Sequence, residues 1–467
     1  MNVAVTGSSG FVGRAVVEAL LRRGLHVVAL SRRSDGPLPP GAARRVFDPN
    51  APEPNPLAFD GVDAVVHLAG EPIDGRWTAA KKQRIAESRI LGTQHLVRSL
   101  AALEKPPGVL VAASAVGLYG SRGDEPLTEE AAPGAGFLAS VVSGWEGAAL
   151  AAERLGIRTV LLRSGIVLGN GGALAKMLPP FRAGFGGPFG TGRQFVPWIH
   201  IDDIAELIAF ALEHDALRGA VNAVAPDYPT SARFAGALGN ALGRPAFTPA
   251  PGFALRAALG KFAETILASQ LVIPARALDA GFRWRFPELE PALQAIVAPY
   301  RPVSGVHTYH SALRVRRPLE EVFAFFADPH NLQRITPPML QFGLIGIPGP
   351  LERGAIYDYR LQLRGFSMSW RTLIAEVEPL REFVDVQLHG PYALWRHRHQ
   401  FRPVDGGVEI SDTVDYALPF APVGELAHPL VNRDIGEIFR YRETAIGSLF
   451  GERPEVTPIT AGANPMV

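Results

Sequence analysis

A run of glycines near the N-terminus constrains this chain more than any other feature of its sequence. Asn2–Thr6 is a short apolar segment typical of a buried strand, and residues 11–23 carry apolar side chains at helical spacing. From the end of the strand into the first turn of the helix, Gly7, Gly10 and Gly13 recur at every third position. We expect Gly7 to permit a tight turn, Gly10 to let the backbone approach a ligand, and Gly13 to let the helix pack on the strand.

The same turn predicts a phosphate site. The first backbone N–H groups of a helix lack partners within the helix, and the helix dipole places positive charge there. A strand, glycine turn and helix in this order are typical of a dinucleotide-binding, Rossmann-type fold, in which the helix N-terminus holds the diphosphate. The alternative is a purely structural turn. The residues of this segment that we predict to contact the dinucleotide are Thr6, Gly7, Ser9, Gly10, Phe11, Val12 and Gly13.

The end of the second strand bears on which dinucleotide binds. The strand His26–Leu30 is followed by Ser31, Arg32 and Arg33, where a site that prefers NAD(H) usually has an acidic residue for the ribose 2′-hydroxyl. An arginine matches a phosphate instead, and its planar cation stacks on adenine. We therefore predict that NADP(H) is favoured over NAD(H). The alternative is that both arginines are ordinary solvated loop residues.

Strand-like and helix-like segments alternate through the first part of the chain. Segments that are apolar on both faces, as covered strands are, recur at Val62–Leu68, Val109–Ala113 and Thr159–Leu162. Long helices are predicted at about 78–103 and 137–155, and they could form a homodimer interface. This alternation predicts an α/β fold, a Rossmann-type doubly wound parallel sheet. Residues 170–197, which look irregular, and 226–298, which look like short helices, are expected to form a small substrate lobe.

Further motifs, taken in chain order, resemble the extended short-chain dehydrogenase/reductase superfamily over about residues 1–298. They are TGSSGFVG at 6–13, HLAG at 67–70, SRILGT at 88–93, ASAVGLYG at 113–120, LRSGIVLG at 162–169 and FVPWIHIDD at 195–203. The combination is similar to an epimerase-like subgroup labelled nucleoside-diphosphate-sugar epimerase or SulA-type cell-division inhibitor. The resemblance implies that the cofactor also contacts Leu68, Ala69, Gly70, Glu71 and Arg89.

The resemblance also implies a catalytic tyrosine and lysine, four residues apart on one face of the helix after the serine motif. Residues 120–155 contain neither. Ser114 and Tyr119 are the remaining catalytic candidates, although a tyrosine placed like Tyr119 more often has a structural role. Glu146 could act as a base, but a surface carboxylate is the commoner interpretation. Two functions stay open: an atypical NADP(H)-dependent epimerase or oxidoreductase acting on an unknown small molecule, and a non-catalytic NADP(H)-sensing regulatory or interaction protein.

The pattern changes after a predicted linker at 299–306. Alternating strands and a long helix at 424–450 predict an α+β domain at 307–451, and the tail at 452–467 is expected to be disordered. The segment RRPLEEVFAFFADPHNL at 316–332 resembles the START-like, or SRPBCC, superfamily of polyketide cyclases and CoxG-like proteins. That resemblance implies a helix-grip fold, a curved sheet around the helix with a cavity for a hydrophobic ligand. The candidate cavity residues are Tyr357, Tyr359, Phe366, Met368 and Trp370, which could instead only fill the core.

Composition limits the partners and the metal chemistry. The chain has no cysteine, which excludes disulfides, thiolate nucleophiles and cysteine-bound zinc. His397 and His399 alternate on one strand, but because two histidines lack a third ligand we interpret them as packed or surface residues and predict no metal site. A formal net charge of +1 gives no reason to expect nucleic acid or a membrane surface as a partner. We find neither a signal peptide nor a membrane-spanning stretch and expect a cytoplasmic protein.

Overall fold

The computed structural model describes residues 1–33, 41–51, 53–297, 303, 305–346, 348–363, 365–450 and 455–456. The chain divides into two compact units, Met1–Ile296 and Val297–Val467. The predicted linker at 299–306 lies outside the described residues except for 303 and 305–306. The predicted disordered tail at 452–467 lies outside them except for 455–456, which form a short strand.

A seven-stranded parallel sheet forms the centre of the first unit. The strands of this unit are β1 (Asn2–Thr6), β2 (His26–Ser31), β3 (Ala43–Val46), β4 (Ala64–His67), β5 (Val109–Ala115), β6 (Pro126–Leu127), β7 (Arg158–Ser164), β8 (Ile166–Leu168), β9 (Trp198–His200), β10 (Gly219–Ala223) and β11 (Leu271–Val272). The order in the large sheet is β3-β2-β1-β4-β5-β7-β10, while β6 pairs with β11 and β8 with β9. The strand order therefore reverses direction between β1 and β4.

Helices cover both faces of this sheet. They are α1 (Phe11–Arg22), α2 (Ala79–Ala101), α3 (Phe137–Leu150), α4 (Gly172–Arg182), α5 (Ile201–Glu213), α6 (Ser231–Leu242), α7 (Gly252–Leu259), α8 (Ala263–Leu267), α9 (Ala275–Asp279) and α10 (Leu289–Val297). Val3 and Val5 pack towards α1 and α5, whereas Ala4, between them, packs on the opposite face with residues of α2. This alternation confirms the predicted doubly wound α/β fold. Helices α2 and α3 pack on each other within the chain, and the homodimer stays a prediction.

The lobe segments contain more regular structure than the sequence indicated. The expectation that residues 170–197 are irregular is wrong for 172–182, which form α4. Leu174, Leu178 and Phe181 bury one stripe of this helix, but two prolines inside it obscure the helical pattern. Helix α4 packs on α6, so the segments 170–197 and 226–298 contact each other.

The second unit is built on an eight-stranded antiparallel sheet. Its strands are β12 (Val306–Val315), β13 (Gly343–Ile345), β14 (Ile356–Leu363), β15 (Phe366–Glu378), β16 (Glu382–His389), β17 (Leu394–Val404), β18 (Gly407–Ala417) and β19 (Glu455–Val456), and its helices are α11 (Leu319–Ala327) and α12 (His428–Phe450). The strand order is β13-β14-β15-β16-β17-β18-β12-β19. Ile435 and Phe439 of α12 pack on Val414 and Tyr416 of β18, which confirms a separate α+β unit with one long helix. None of the described helices of the chain has the length and apolarity needed to cross a membrane.

Candidate functional site

The glycine turn between β1 and α1 is packed so closely that only glycine fits at two of its positions. Gly7 has a φ of +67°, and a β-carbon there would lie 2.9 Å from the carbonyl carbon of Leu68. A β-carbon on Gly13 would lie 2.1 Å from the carbonyl oxygen of Gly7. Gly10 is the N-cap of α1 and supplies no side-chain hydrogen bond to the helix. The first turn of α1 therefore rests directly on the turn below it, and its free N–H groups have no side-chain cap.

The turn lies at the point where the strand order of the sheet reverses. In open α/β sheets ligands bind in the crevice outside the carboxyl ends of the strands at such a point. Thr6 ends β1, and its hydroxyl oxygen accepts hydrogen bonds from the backbone N–H of Leu68 (3.1 Å) and of Ala69 (3.2 Å). The structure thus brings together the predicted cofactor segments at 6–13 and 68–71.

A buried chain of polar side chains fixes this edge of the sheet. His67 is fully buried, and burial lowers its pKa to about 4, so the ring is neutral near pH 7. Because the Thr6 hydroxyl accepts two N–H groups, its own hydrogen is directed to Nδ1 of His67 at 2.8 Å. Nε2 of His67 then donates to the hydroxyl of Thr93 on α2 at 3.0 Å. We did not assign these roles to His67 and Thr93 from the sequence, although a histidine at the end of an apolar strand was a signal for a buried hydrogen-bond partner.

The end of β2 lies beside the turn. The Ser8 hydroxyl donates to the carbonyl oxygen of Leu30 at 3.3 Å, and the Ser31 hydroxyl donates to the carbonyl oxygen of Arg33. Arg32 and Arg33 are both exposed where the strand ends. The structure therefore places the end of β2, which carries the two predicted arginines, next to the glycine turn.

Ser9 and Gly10 are exposed at the head of α1, whereas Phe11 and Val12 are half-buried. The ring of Phe11 packs under the loop that follows β8. A β-carbon on Gly169 or on Gly171 would lie 2.8 Å from this ring. The Phe11 side chain therefore packs against this loop and holds it close to the N-terminus of α1. The close packing is possible because the loop residues that face the ring are glycines.

Arg89 holds the loop that follows β4 against two helices. Its guanidinium donates to the carbonyl oxygens of Glu71 (2.9 Å) and Ile85 (3.3 Å), and it lies 5.1 Å above the ring of Trp145 on α3. Burial lowers the pKa of Arg89 to about 10, which leaves it charged near pH 7. The Glu71 carboxylate pairs with Lys81 at 2.9 Å. A β-carbon on Gly70 would lie 3.5 Å from the guanidinium carbon, so this loop and Arg89 are in contact.

Glu146 is not the surface carboxylate that the sequence analysis favoured. It is 9% exposed, accepts a hydrogen bond from the Ser114 hydroxyl at 2.6 Å, and pairs with both nitrogens of one edge of Arg163 at 2.8 and 2.9 Å. Helix α3 is apolar over most of its surface, so periodicity could not show which face Glu146 occupies. Its partner lies on β7, at a distance in sequence that local patterns do not reach.

Tyr119 is completely buried, behind the end of β5. Its hydroxyl donates to the side-chain oxygen of Asn222 at 2.7 Å and accepts from Arg163 at 2.9 Å. Burial raises the pKa of Tyr119, which makes proton release harder. The geometry therefore favours the structural role of Tyr119 over the catalytic one. Ser114 is also buried, and its hydrogen bond to Glu146 belongs to the same network.

Residues 3–223 match the model of the NAD dependent epimerase/dehydratase family, and residues 250–296 match a domain of unknown function, DUF1731. The epimerase family protein SDR39U1 of Bos taurus is 42% identical over 312 residues, which cover 64% of this chain and 100% of that protein. The chain belongs to the NAD-dependent epimerase/dehydratase family. The epimerase family protein YfhF of Bacillus subtilis is 36% identical over 306 residues, which cover 65% of this chain and 100% of that protein.

Solved structures agree with this assignment. The crystal structure of human SDR39U1 (isoform 2) with NADPH has a TM-score of 0.57 and 39% identity, and the match covers 63% of this chain and 99% of that chain. A nucleoside-diphosphate sugar epimerase from Corynebacterium glutamicum has a TM-score of 0.53 and 33% identity, with 65% of this chain and 59% of that chain covered. The matching family models end at residue 296, and the START-like resemblance of residues 307–451 stays a prediction.

The second unit has a cavity of about 230 Å³ among α12, α11 and the strands β14 to β17. Four of the predicted residues line it: Tyr357, Tyr359, Met368 and Trp370. The fifth, Phe366, has a side chain outside the described part of the structure. Polar side chains also reach the cavity wall, among them Asp385, His397, His399 and Arg442.

We predicted no metal site because His397 and His399 lack a third ligand, and this reason is wrong. Both His397 and His399 are buried, and Oδ2 of Asp385 lies 3.7 Å from Nδ1 of His397 and 3.0 Å from Nε2 of His399. A third group with metal-ligating chemistry is therefore present. Local spacing did not reveal Asp385 because it lies on β16, and only the pairing of β16 with β17 brings it beside the histidines.

Proposed function

We propose that the first unit binds NADP(H) and uses it in an epimerase- or oxidoreductase-like reaction on a small molecule. The observation that carries this proposal is the contact of Gly13 on Gly7, which sets an uncapped helix N-terminus at the reversal point of the sheet. A side chain at Gly7 or Gly13 would fill this cradle, so the residues present fit a diphosphate. The NADPH in the human SDR39U1 crystal structure supports the same cofactor for this chain.

The described residues divide the binding task between them. The N–H groups at the head of α1 would hold the diphosphate, and Arg32 and Arg33 would meet a 2′-phosphate at the end of β2. The loop from Leu68 to Glu71 would line the other side of the crevice, fixed by Thr6 and Arg89. A nicotinamide bound there would supply hydride transfer.

The buried network behind β5 favours a second candidate, an NADP(H)-sensing protein without catalysis. Residues 120–155 lack the tyrosine and lysine of the superfamily, and the hydroxyls of Ser114 and Tyr119 are both buried and hydrogen-bonded. A reaction would therefore need its proton from another group, for instance one carried by the substrate. Without such a group, binding would proceed and turnover would not.

Cofactor fluorescence and absorbance, measured on the full chain, distinguish the two candidates. NADPH is titrated first, and the complex is then offered a panel of sugar nucleotides and small carbonyl compounds. Oxidation of NADPH with any member of the panel supports the enzyme. Binding without oxidation across the panel supports the sensor, and the absence of NADPH binding contradicts both.

We further propose that the second unit binds a hydrophobic ligand that carries an acceptor oxygen. The support is its largely apolar cavity and Nε of Arg442, a buried donor to which the described residues offer no hydrogen-bond partner. Anilinonaphthalene sulfonate, an apolar anion that fluoresces on binding, is the probe. Val431→Trp, which narrows the cavity, should weaken probe binding, whereas Val423→Trp at a 70% exposed position should not. Equal binding by both variants would contradict the proposal.

A further inference from the structure

Four titratable side chains share one face of three neighbouring strands in the second unit. His397 and His399 are two residues apart on β17, so both point to the same side of the sheet. Asp385 on β16 is the register partner of His397, and Asp412 on β18 is the register partner of His399. All four therefore face α12, and His397, His399 and Asp412 are buried there.

The two carboxylates stand on opposite edges of the two imidazole rings. Oδ1 of Asp412 lies 2.8 Å from Nε2 of His397 and 2.8 Å from Nδ1 of His399. Oδ2 of Asp385 faces the other nitrogen of each ring, at 3.7 and 3.0 Å. The 3.0 Å contact between Nε2 of His399 and Oδ2 of Asp385 has the geometry of a hydrogen bond, with one proton between the two atoms. If that proton leaves and each ring gives its remaining N–H hydrogen to Asp412, one lone pair of each ring is directed at the Asp385 carboxylate. Three electron-rich atoms then converge, and a cation between them removes their repulsion.

These three atoms lie within 4.8 Å of one another, and the two separations that involve Asp385 suit a metal ion. A tetrahedral ion with bonds of about 2.1 Å holds its ligand atoms about 3.4 Å apart, close to the contacts that Asp385 makes. Asp412 would act in the second shell, because a carboxylate on the far nitrogen of a ligating histidine fixes its tautomer and orientation. Nη2 of Arg442 lies 3.4 Å from Nδ1 of His399, where the guanidinium can only donate, so metal binding at Nε2 would require Nδ1 to turn its hydrogen to Asp412 instead. This contact is on the edge of the ring that faces Asp412 and not on the edge that faces Asp385.

We propose that Asp385, His397 and His399 bind a divalent transition-metal ion of the zinc or ferrous class. Two imidazole nitrogens and one carboxylate oxygen match those ions, whereas calcium and magnesium prefer sites made of oxygen alone. All three ligands line the cavity and Asp412 does not. The ion would therefore keep coordination positions open towards the cavity, as ions that bind or activate a small molecule do. This site does not depend on nicotinamide binding by the first unit.

Metal titration of the full chain tests the proposal. The purified protein is stripped with a chelator, and Co²⁺ is added while visible absorption is recorded, with Zn²⁺ binding measured in parallel by calorimetry. The wild type should bind one ion per chain and give the visible bands of a low-symmetry Co²⁺ site. Asp385→Asn and His397→Gln should each lose more than about 100-fold in affinity, and Asp412→Asn should lose about 10- to 100-fold.

His310→Gln is the matched control, because it removes an exposed histidine from β12 that bonds Thr413 in the same sheet. It should bind both ions as the wild type does. Circular dichroism checks that each variant is folded, and the wild-type titration decides the question alone if Asp385→Asn does not fold. The proposal would be overturned if the wild type binds neither ion, or if the variants bind as tightly as His310→Gln. The positive charge between His399 and Asp385 would then be only the proton that these two residues share.

Discussion

The contact between Gly13 and Gly7 gives a quantitative prediction for the variant Gly13→Ala. The new β-carbon would lie 2.1 Å from the Gly7 carbonyl oxygen and 2.8 Å from its carbonyl carbon. Because both atoms belong to the backbone, they cannot rotate away, and restoring even a 3.0 Å contact moves α1 by about 0.9 Å. Overpacking of this kind costs about 1–3 kcal/mol of unfolding free energy.

The same displacement should weaken NADPH binding. A shift of about 0.9 Å takes a phosphate out of hydrogen-bonding reach of an N–H group at the helix head. One hydrogen bond to a charged group contributes about 1.5–3 kcal/mol, so we expect a loss of about 10- to 150-fold in affinity. Calorimetric titration with NADPH measures this loss, and urea denaturation followed by tryptophan fluorescence measures the stability.

Gly147→Ala is the matched control for Gly13→Ala. Gly147 lies within α3, and a β-carbon there meets nothing within 4 Å, so alanine should stabilise this helix by about 0.5–1 kcal/mol. The control should bind NADPH like the wild type. If Gly13→Ala binds NADPH as tightly as Gly147→Ala, the reasoning about the helix head is refuted.

The remaining predictions concern charge. Arg32→Asp should weaken NADPH by more than tenfold in fluorescence titrations and weaken NADH much less, because NADH lacks the 2′-phosphate that the arginine would meet. Glu146→Gln should cost about 3–5 kcal/mol of stability in urea denaturation, because Arg163 would be left buried beside a neutral partner. Burial raises the pKa of Asp203 to about 7, which favours its protonated form in the fold. The protonated Asp203 carboxyl therefore stabilises the fold, and this contribution to the free energy of unfolding should be complete below the ordinary pKa of 3.8 and lost as the pH rises through 7. Thermal melting should show the corresponding fall in stability with pH, and Asp203→Asn should remove it.

Each of these three variants has a matched control variant in the first unit. Arg218→Asp lies before β10, at the amino ends of the strands, and should affect both nucleotides equally little. Glu130→Gln breaks an exposed pair with Arg276 and should cost no more than about 1 kcal/mol. Asp202→Asn removes a smaller cause of the raised Asp203 pKa than burial and should keep most of the fall in stability with pH. The argument for Arg32 is contradicted if Arg32→Asp loses affinity for NADPH and NADH equally. The argument for Glu146 is contradicted if Glu146→Gln is as stable as Glu130→Gln, and the argument for Asp203 if the fall in stability with pH persists in Asp203→Asn.

The sequence predicted the elements of the first unit because its strands and helices carry strong local patterns. Helix α1 begins at Phe11 and β1 ends at Thr6, as the glycine turn indicates. Local patterns did not predict which side chains pair between elements that are distant in sequence. Glu146 pairs with Arg163 on another element, and no periodicity within α3 shows that the carboxylate is buried.

The second unit shows the same limit. Alternation predicted an α+β domain of strands and one long helix, since one face of each strand is buried. The cluster of Asp385 with His397 and His399 depends on strand register, which one strand alone does not determine. Residues 170–197 look irregular in sequence because Pro179 and Pro180, which usually interrupt helices, lie inside α4. The helix nevertheless forms there, with the neighbouring Phe181 buried in the core.

Calorimetric titration of the wild-type full chain with NADPH and with NADH tests the central claim most directly. We predict one NADPH bound per chain with measurable heat, and weaker binding of NADH. No heat with either nucleotide, under conditions where the chain is folded by circular dichroism, would contradict the claim that the head of α1 is a diphosphate site.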